Sequence, residues 1–249
     1  MKKVVLIIVL CAFAVTPAMA DFSGGQVYWE RLGGYYSGNG GEFTFRSDGG
    51  PGLLLSIGAY DATTSGLGTW GESFQTFCLE GGEYVYSGQS LEIEVSTTFI
   101  DETTGELLTG TGSHAILGSK AYGDNLDART AYLYTKFATG TLTGYDYTLA
   151  GRATSAYDLQ RAIWYIEGEA NGANNYFVEL AVKAISDGGE WVGMGIGNVR
   201  VLNTWVPGGH VGDLNYARQD MLYLVPVPTA VILGLLGLGV AGIKLRKYT

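Results

Sequence analysis

Cysteine, histidine and positive charge are all scarce in this chain. Two cysteines and two histidines stand among 249 residues, and 15 Lys+Arg face 24 Asp+Glu, for a net charge of −9. Cys11 lies in the apolar N-terminal stretch, which leaves Cys78 alone in the rest of the chain, without a partner for an internal disulfide. The acidic balance excludes nucleic acid as a partner class, because such a surface repels phosphate. His114 and His210 are the only histidines, and both are expected to be loop residues rather than catalysts. There is no Gly-x-Ser-x-Gly, no His-Glu-x-x-His and no P-loop.

Glycine, by contrast, is abundant at 39 residues, about twice its usual share. With 17 tyrosines and few lysines, the composition is that of a turn-rich and strand-rich extracellular domain. Aromatic residues at 12% argue against disorder, because they can fill a core.

The two ends read as export signals. Lys2 and Lys3 precede an apolar run from Val4 to Val15, and Ala18-Met19-Ala20 supplies small residues for signal peptidase. This predicts a signal peptide over 1–20 with cleavage after Ala20. At the other end, Ala230 to Ile243 carries no charge and is followed by Lys244, Arg246 and Lys247. That layout predicts a C-terminal transmembrane helix with its basic end in the cytoplasm. The tail, with Pro226 and Pro228 ahead of a Gly/Leu-rich helix and a basic end, resembles the PEP-CTERM sorting signal of Gram-negative surface proteins. Val227 stands where that signal usually has Glu. The resemblance implies processing by an exosortase and a place at the cell surface or in an extracellular polysaccharide matrix.

Between these ends, residues 21–224 read as one α+β domain. All 24 acidic residues lie in it, whereas five of the basic ones lie in the ends, so the body is more acidic than the whole chain. Strands are predicted within 26–46, 52–60 and 73–80, with a hairpin of Glu83–Gly88 and 90–100 in which Leu91, Ile93 and Val95 alternate. A polar loop, 101–112, is rich in Asp and Gly without the spacing of an EF-hand. Helical spacing then takes over: one helix through ARTAYLYTKFATG, one over Thr154 to Glu169 with Ser155 as its cap, and one from about Asn175 to Ser186. Strands return at GNVRVLNTWV and RQDMLYLVP. The order predicts a β-sandwich or barrel core with a helical insertion.

Two short segments carry chemistry. Cys78 sits in Phe77-Cys78-Leu79-Glu80 at the end of a predicted strand. Gln160 sits in Gln160-Arg161-Ala162-Ile163-Trp164, on the helix face of Ile163 and Trp164, while Arg161 is expected to leave on another face. Together they resemble the thioester domains of bacterial surface adhesins, the TQXA type, whose signature is an aromatic-Cys-hydrophobic segment followed well downstream by Gln-x-Ala-Ile/Val-Trp. Leu159 stands where Thr often precedes the Gln. The resemblance implies an internal thioester between Cys78 Sγ and the Gln160 side-chain carbonyl, formed with loss of ammonia. It needs no cofactor and no metal, and it makes the protein an adhesive rather than an enzyme. A thiolate is a strong nucleophile and a carboxamide a poor electrophile, so rigid positioning must supply much of the drive. Apolar walls must then keep water from the activated acyl group, and Phe77, Trp164 and Tyr165 are the candidates. The partner would be an amine or hydroxyl nucleophile on a surface protein or polysaccharide.

From the residues alone, a buried free cysteine beside a hydrogen-bonded glutamine in an ordinary core stays open. So do a carbohydrate-binding or structural matrix module, with Tyr and Trp stacking on sugars, and an extracellular hydrolase with two placed carboxylates. No oxyanion donor or proton shuttle is assignable from the sequence.

Overall fold

The strand Ser90–Val95 alternates buried and part-exposed residues, whereas Ser73–Thr76 and Val199–Trp205 are buried along their whole length, in a curled sheet that packs with three helices. A computed structural model describes residues 23–47, 73–86, 88–116, 120–208 and 214–225, all within one compact unit, 21–227. The elements run β1 (Ser23–Glu30), β2 (Phe43–Ser47), β3 (Ser73–Thr76), β4 (Ser90–Val95), β5 (Phe99–Ile100), β6 (Leu107–Leu108), β7 (His114–Ala115) and β8 (Asp124–Asn125). Three helices follow, α1 (Ala128–Ala138), α2 (Arg152–Glu167) and α3 (Tyr176–Ile185). Strands β9 (Val199–Trp205) and β10 (Ala217–Leu224) close the order. The fold is therefore mixed, with the helices inserted between strands.

Six strands form one antiparallel sheet in the order β10-β9-β4-β1-β2-β3. In β4, Leu91, Ile93 and Val95 are buried while Glu92 and Glu94 are not, the period-2 pattern of a strand with one face in a core. Inside the curl, Phe74 lies 5.7 Å from both Phe45 and Tyr223, ring centre to ring centre. The two ends of the strand order also meet. Leu222 N donates to Phe77 O at 3.1 Å, Leu79 N donates to Asp220 O at 2.9 Å, and Cys78 forms a bridge with Met221. Cys78 thus lies in a seam that joins the segment after β3 to β10.

The helices pack as a second core. Val199 and Val201 of β9, Leu222 of β10, and Phe77 and Leu79 of the seam join Leu133 and Phe137 of α1, Leu159 and Ile163 of α2, and Phe177 of α3. Local signals start and stop each helix. Asp127 caps α1 by accepting from Arg129 N, and Asn175 caps α3 by accepting from Phe177 N. Gly168 ends α2 in the left-handed conformation, φ 80°.

Several expectations are corrected. Ser155 does not cap α2, which begins three residues earlier at Arg152, after Gly151. The Ser155 hydroxyl instead accepts from Asp146 N, pinning the incoming loop. Arg152 is drawn into the helix by a buried partner, forking its Nε and Nη2 onto Glu42 at 2.6 and 2.7 Å. The described residues Glu83–Tyr86 and Gly88 form no strand, and β4 pairs with β1 and β9. The polar loop 101–112 contains a short strand, β6, paired with β5, and Asp101 folds its carboxylate onto Thr103 and Thr104. His114 lies in a strand, its Nδ1 within hydrogen-bond distance of Ser96 Oγ and Thr98 O.

The strand expected over 52–60, His210, the signal segment through Ala20, and the tail with Pro226, Pro228, Lys244, Arg246 and Lys247 lie outside the described residues. The expected C-terminal transmembrane helix falls there too. Among the described residues no helix is long and apolar enough to cross a membrane.

Candidate functional site

Cys78 is paired with β10 through its neighbours, which turns its own backbone groups away from the sheet. Both are met by one side chain. Cys78 N donates to Gln160 Oε1 at 3.0 Å, and Gln160 Nε2 donates to Cys78 O at 2.7 Å. The carboxamide of α2 replaces a missing strand, and only this orientation of the amide pairs each donor with an acceptor. Gln160 is fully buried and Cys78 is 3% exposed. Cys78 is a free cysteine.

The clamp fixes the carboxamide against the backbone of the cysteine. Negative charge would develop on Oε1 if Sγ added to the carbonyl carbon, and Oε1 already faces the Cys78 N–H donor. On the other side Nε2 is held by the Cys78 carbonyl. The carbonyl carbon lies between these two anchors, against the residue that carries the thiol. Burial pushes the Cys78 thiol well above its ordinary pKa, and the Arg31 guanidinium opposes that shift. The sulfur is therefore protonated near neutrality, and a base must take its proton before it can attack.

A cleft of about 520 Å³ opens on this pair. Tyr157, Gln160, Arg161 and Trp164 line it from α2, at the i, i+3, i+4, i+7 spacing of one helix face. Arg161 is thus on the cleft face, contrary to expectation. The face is wider than the buried stripe, and Arg161 is held at its edge by Tyr157 Oη at 2.8 Å and Asn171 O at 3.1 Å. Trp29, Phe43 and Tyr84 add aromatic surface. The indole N–H groups of Trp29 and Trp164 are buried without a partner among the described residues.

The three expected walls separate. Trp164 lines the cleft. Phe77 does not, because successive strand residues face opposite ways: it points into the helical core, edge-on to Phe137 at 4.9 Å. Tyr165 does not either, being 47% exposed and one residue round the helix from Trp164.

Several contributors were not foreseen. Arg31 donates to Gly38 O at 2.9 Å and to Gly40 O at 2.5 Å, holding that loop over the glutamine. Gly40 is so close that a Cβ there would lie 2.2 Å from Gln160 Cγ. Glu80, in the cysteine motif itself, is buried against Glu169. Burial first and that neighbour second push its pKa up to about 11, so it is protonated at neutrality. Glu83 lines the cleft, and burial raises it to about 7 against the pull of the Asp220 N–H. Two acids within five residues of Cys78 were the available signal, but acidic residues are common in this chain and only the fold singles these out. No group of His, Cys, Asp or Glu among the described residues is arranged to hold a metal ion. No family model, curated protein or solved structure matches this chain.

Proposed function

We propose that this chain is an exported cell-surface protein in which Cys78 and Gln160 form an internal thioester for covalent attachment to a nucleophile-bearing partner. One observation carries the reading. The Gln160 carboxamide is clamped at both its atoms onto the backbone of Cys78, at the floor of an open cleft. Positioning of this kind supplies the effective molarity that a poor electrophile needs. We read the curled sheet, with its ends joined at the seam, as a barrel that fixes Cys78, and the inserted helices as the support for Gln160. Signal peptidase cleavage after Ala20 and membrane tethering through the tail, with an exosortase acting at the Pro226–Pro228 segment, complete the proposal. The partner presents an amine or hydroxyl on a surface protein or polysaccharide.

The test is an intact-mass measurement on the purified chain. The thioester reading expects a mass lower by one ammonia, and one methylamine added on treatment, with a free thiol appearing. An unaltered mass with the Cys78 thiol titratable after denaturation would remove the proposal. A reversible carbohydrate-binding module is the second reading. It is favoured by the aromatic surface of the cleft and the two unpaired indole donors, Trp29 and Trp164. Saturable sugar binding by a chain of unaltered mass would select it.

A further inference from the structure

Among the described residues that line the cleft with Cys78 and Gln160, Glu83 is the only carboxylate. It is held in place. Its Oε2 accepts from Asp220 N at 3.0 Å, and the Asp220 carbonyl takes the Leu79 N–H across the seam. The carboxylate is thereby tethered one residue from Met221, the bridge partner of Cys78. Its other oxygen, Oε1, is buried and has no hydrogen-bond partner among the described residues. A buried acceptor left without a donor is unfavourable, and a group beside the reacting pair with one free oxygen has a use there. The buried Cys78 thiol holds its proton, so attack by sulfur requires a base within the cleft.

Resting on the thioester reading above, we infer that Glu83 is the proton-transfer group of the cleft, taking a proton from the attacking group and delivering one to the leaving group. In formation, the Sγ proton passes to Glu83 as the bond from Sγ to the Gln160 carbonyl carbon forms. The bond from that carbon to Nε2 then breaks, Glu83 returns the proton to the nitrogen, and ammonia leaves. In opening by an alkylammonium, Glu83 takes one proton and the freed amine attacks the same carbon. The carbon–sulfur bond breaks, and of the two protons lost by the nitrogen one ends on Cys78 Sγ and one in solvent. Neither step changes an oxidation state.

The charged neighbours of Glu83 come from several segments. Asp220 belongs to β10, Glu169 to the turn after α2, Glu80 and Cys78 to its own stretch, and Arg31 also lines the cleft. Burial and Glu169 raise its pKa and the Asp220 N–H lowers it, with a result of about 7. A group half ionised near neutrality serves as base in one half of a step and as acid in the other.

The experiment measures methylamine capture by intact mass from about pH 5 to pH 9 in the wild-type chain, Glu83→Gln and Glu83→Asp, around the Glu83 value of about 7. Glutamine keeps an acceptor for Asp220 N, and aspartate keeps the charge. Dividing wild-type rates by those of Glu83→Gln removes the ionisation of the probe itself. The expected ratio is about 10²-fold or more at high pH and falls as pH drops through 7. Glu83→Asp is expected to be slower than wild type, and the ratio of wild-type to Glu83→Asp rates at each pH, in which the ionisation of the probe again cancels, supplies the readout if Glu83→Gln does not fold. Wild-type rates at every pH in the variants that fold would overturn the role of Glu83 while leaving the thioester intact. A wild-type chain that never loses ammonia would overturn the thioester reading instead.

Discussion

Gln160 bonds both backbone groups of Cys78, Oε1 taking the N–H at 3.0 Å and Nε2 reaching the carbonyl at 2.7 Å. The two residues are therefore unequal in what they do for the fold, although both are needed for the proposed bond.

Cys78→Ala and Gln160→Ala should each abolish the ammonia loss and methylamine capture, but they should differ in stability. Removing the Cys78 sulfur trims a small buried group. Removing the Gln160 amide strands a buried N–H and a buried C=O, at about 1–3 kcal/mol for each. Urea denaturation followed by tryptophan fluorescence should show Gln160→Ala with the clearly lower midpoint. Equal midpoints would mean that the clamp is not load-carrying.

Gly40→Ala should disable the site by sterics alone. The added methyl would stand 2.2 Å from Gln160 Cγ and 3.0 Å from the Trp164 ring, in a loop that Arg31 holds in place. Something must shift, at a cost of about 1–3 kcal/mol, and the glutamine is nearest. Gly33→Ala is the control, with nothing within 4 Å of the new methyl. Intact mass should show the ammonia loss in the control and its absence or marked slowing in Gly40→Ala.

Much of this was legible beforehand, and the exceptions have physical causes. The three helices follow from spacing such as Ala131, Tyr134 and Ala138, but the expected span Thr154 to Glu169 runs through Gly168, whose left-handed backbone ends the helix at Glu167. Cys78 and Gln160 stood out through their motifs. Phe77 leaves the cleft because its partner, the helical core, is made by residues more than fifty positions away. Arg161 joins the cleft because the cleft takes in a wider face of α2 than the buried stripe. Glu83 and Gly40 were invisible because their roles depend on the seam with β10 and on a loop tied down by Arg31. No local pattern encodes either contact.

Stability should fall as pH rises from about 5 to 8, with Glu167 as the main test. Burial lifts its carboxyl to about 8, nearby Asp127 and Asp124 add to the shift, and hydrogen bonds oppose it. A carboxyl raised in the folded state binds its proton more tightly there than in the unfolded chain. Its contribution is full below the unfolded value of 4.5 and is lost as pH climbs through the folded value of about 8. Between the two, each such group contributes a slope of up to about 1.4 kcal/mol per pH unit. Urea midpoints of Glu167→Gln should therefore gain on wild type as pH rises across this window. A constant difference would contradict the assignment.

The proposed export signals yield a direct check. N-terminal sequencing of envelope protein should begin at Asp21, and an intact Met1 in that fraction would exclude cleavage. Deleting residues 230–249 should release the body into the medium. Retention on the cells would point to another tether. Val227→Glu should speed processing at the proline segment, and unchanged processing would count against an exosortase.

In the proposed capture, the partner ends up bonded to Gln160, and Cys78 is set free. A pull on the joint would then enter the protein through α2, not through the strand segment that carries the cysteine. The first residue of that helix, Arg152, is moored to Glu42 just ahead of β2, with Glu42 fully buried. Tension would run from the captured partner down one helix and across this ion pair into the sheet. An ion pair eight residues from the glutamine, which takes no part in the chemistry, would therefore share that load with the core packing of the helix.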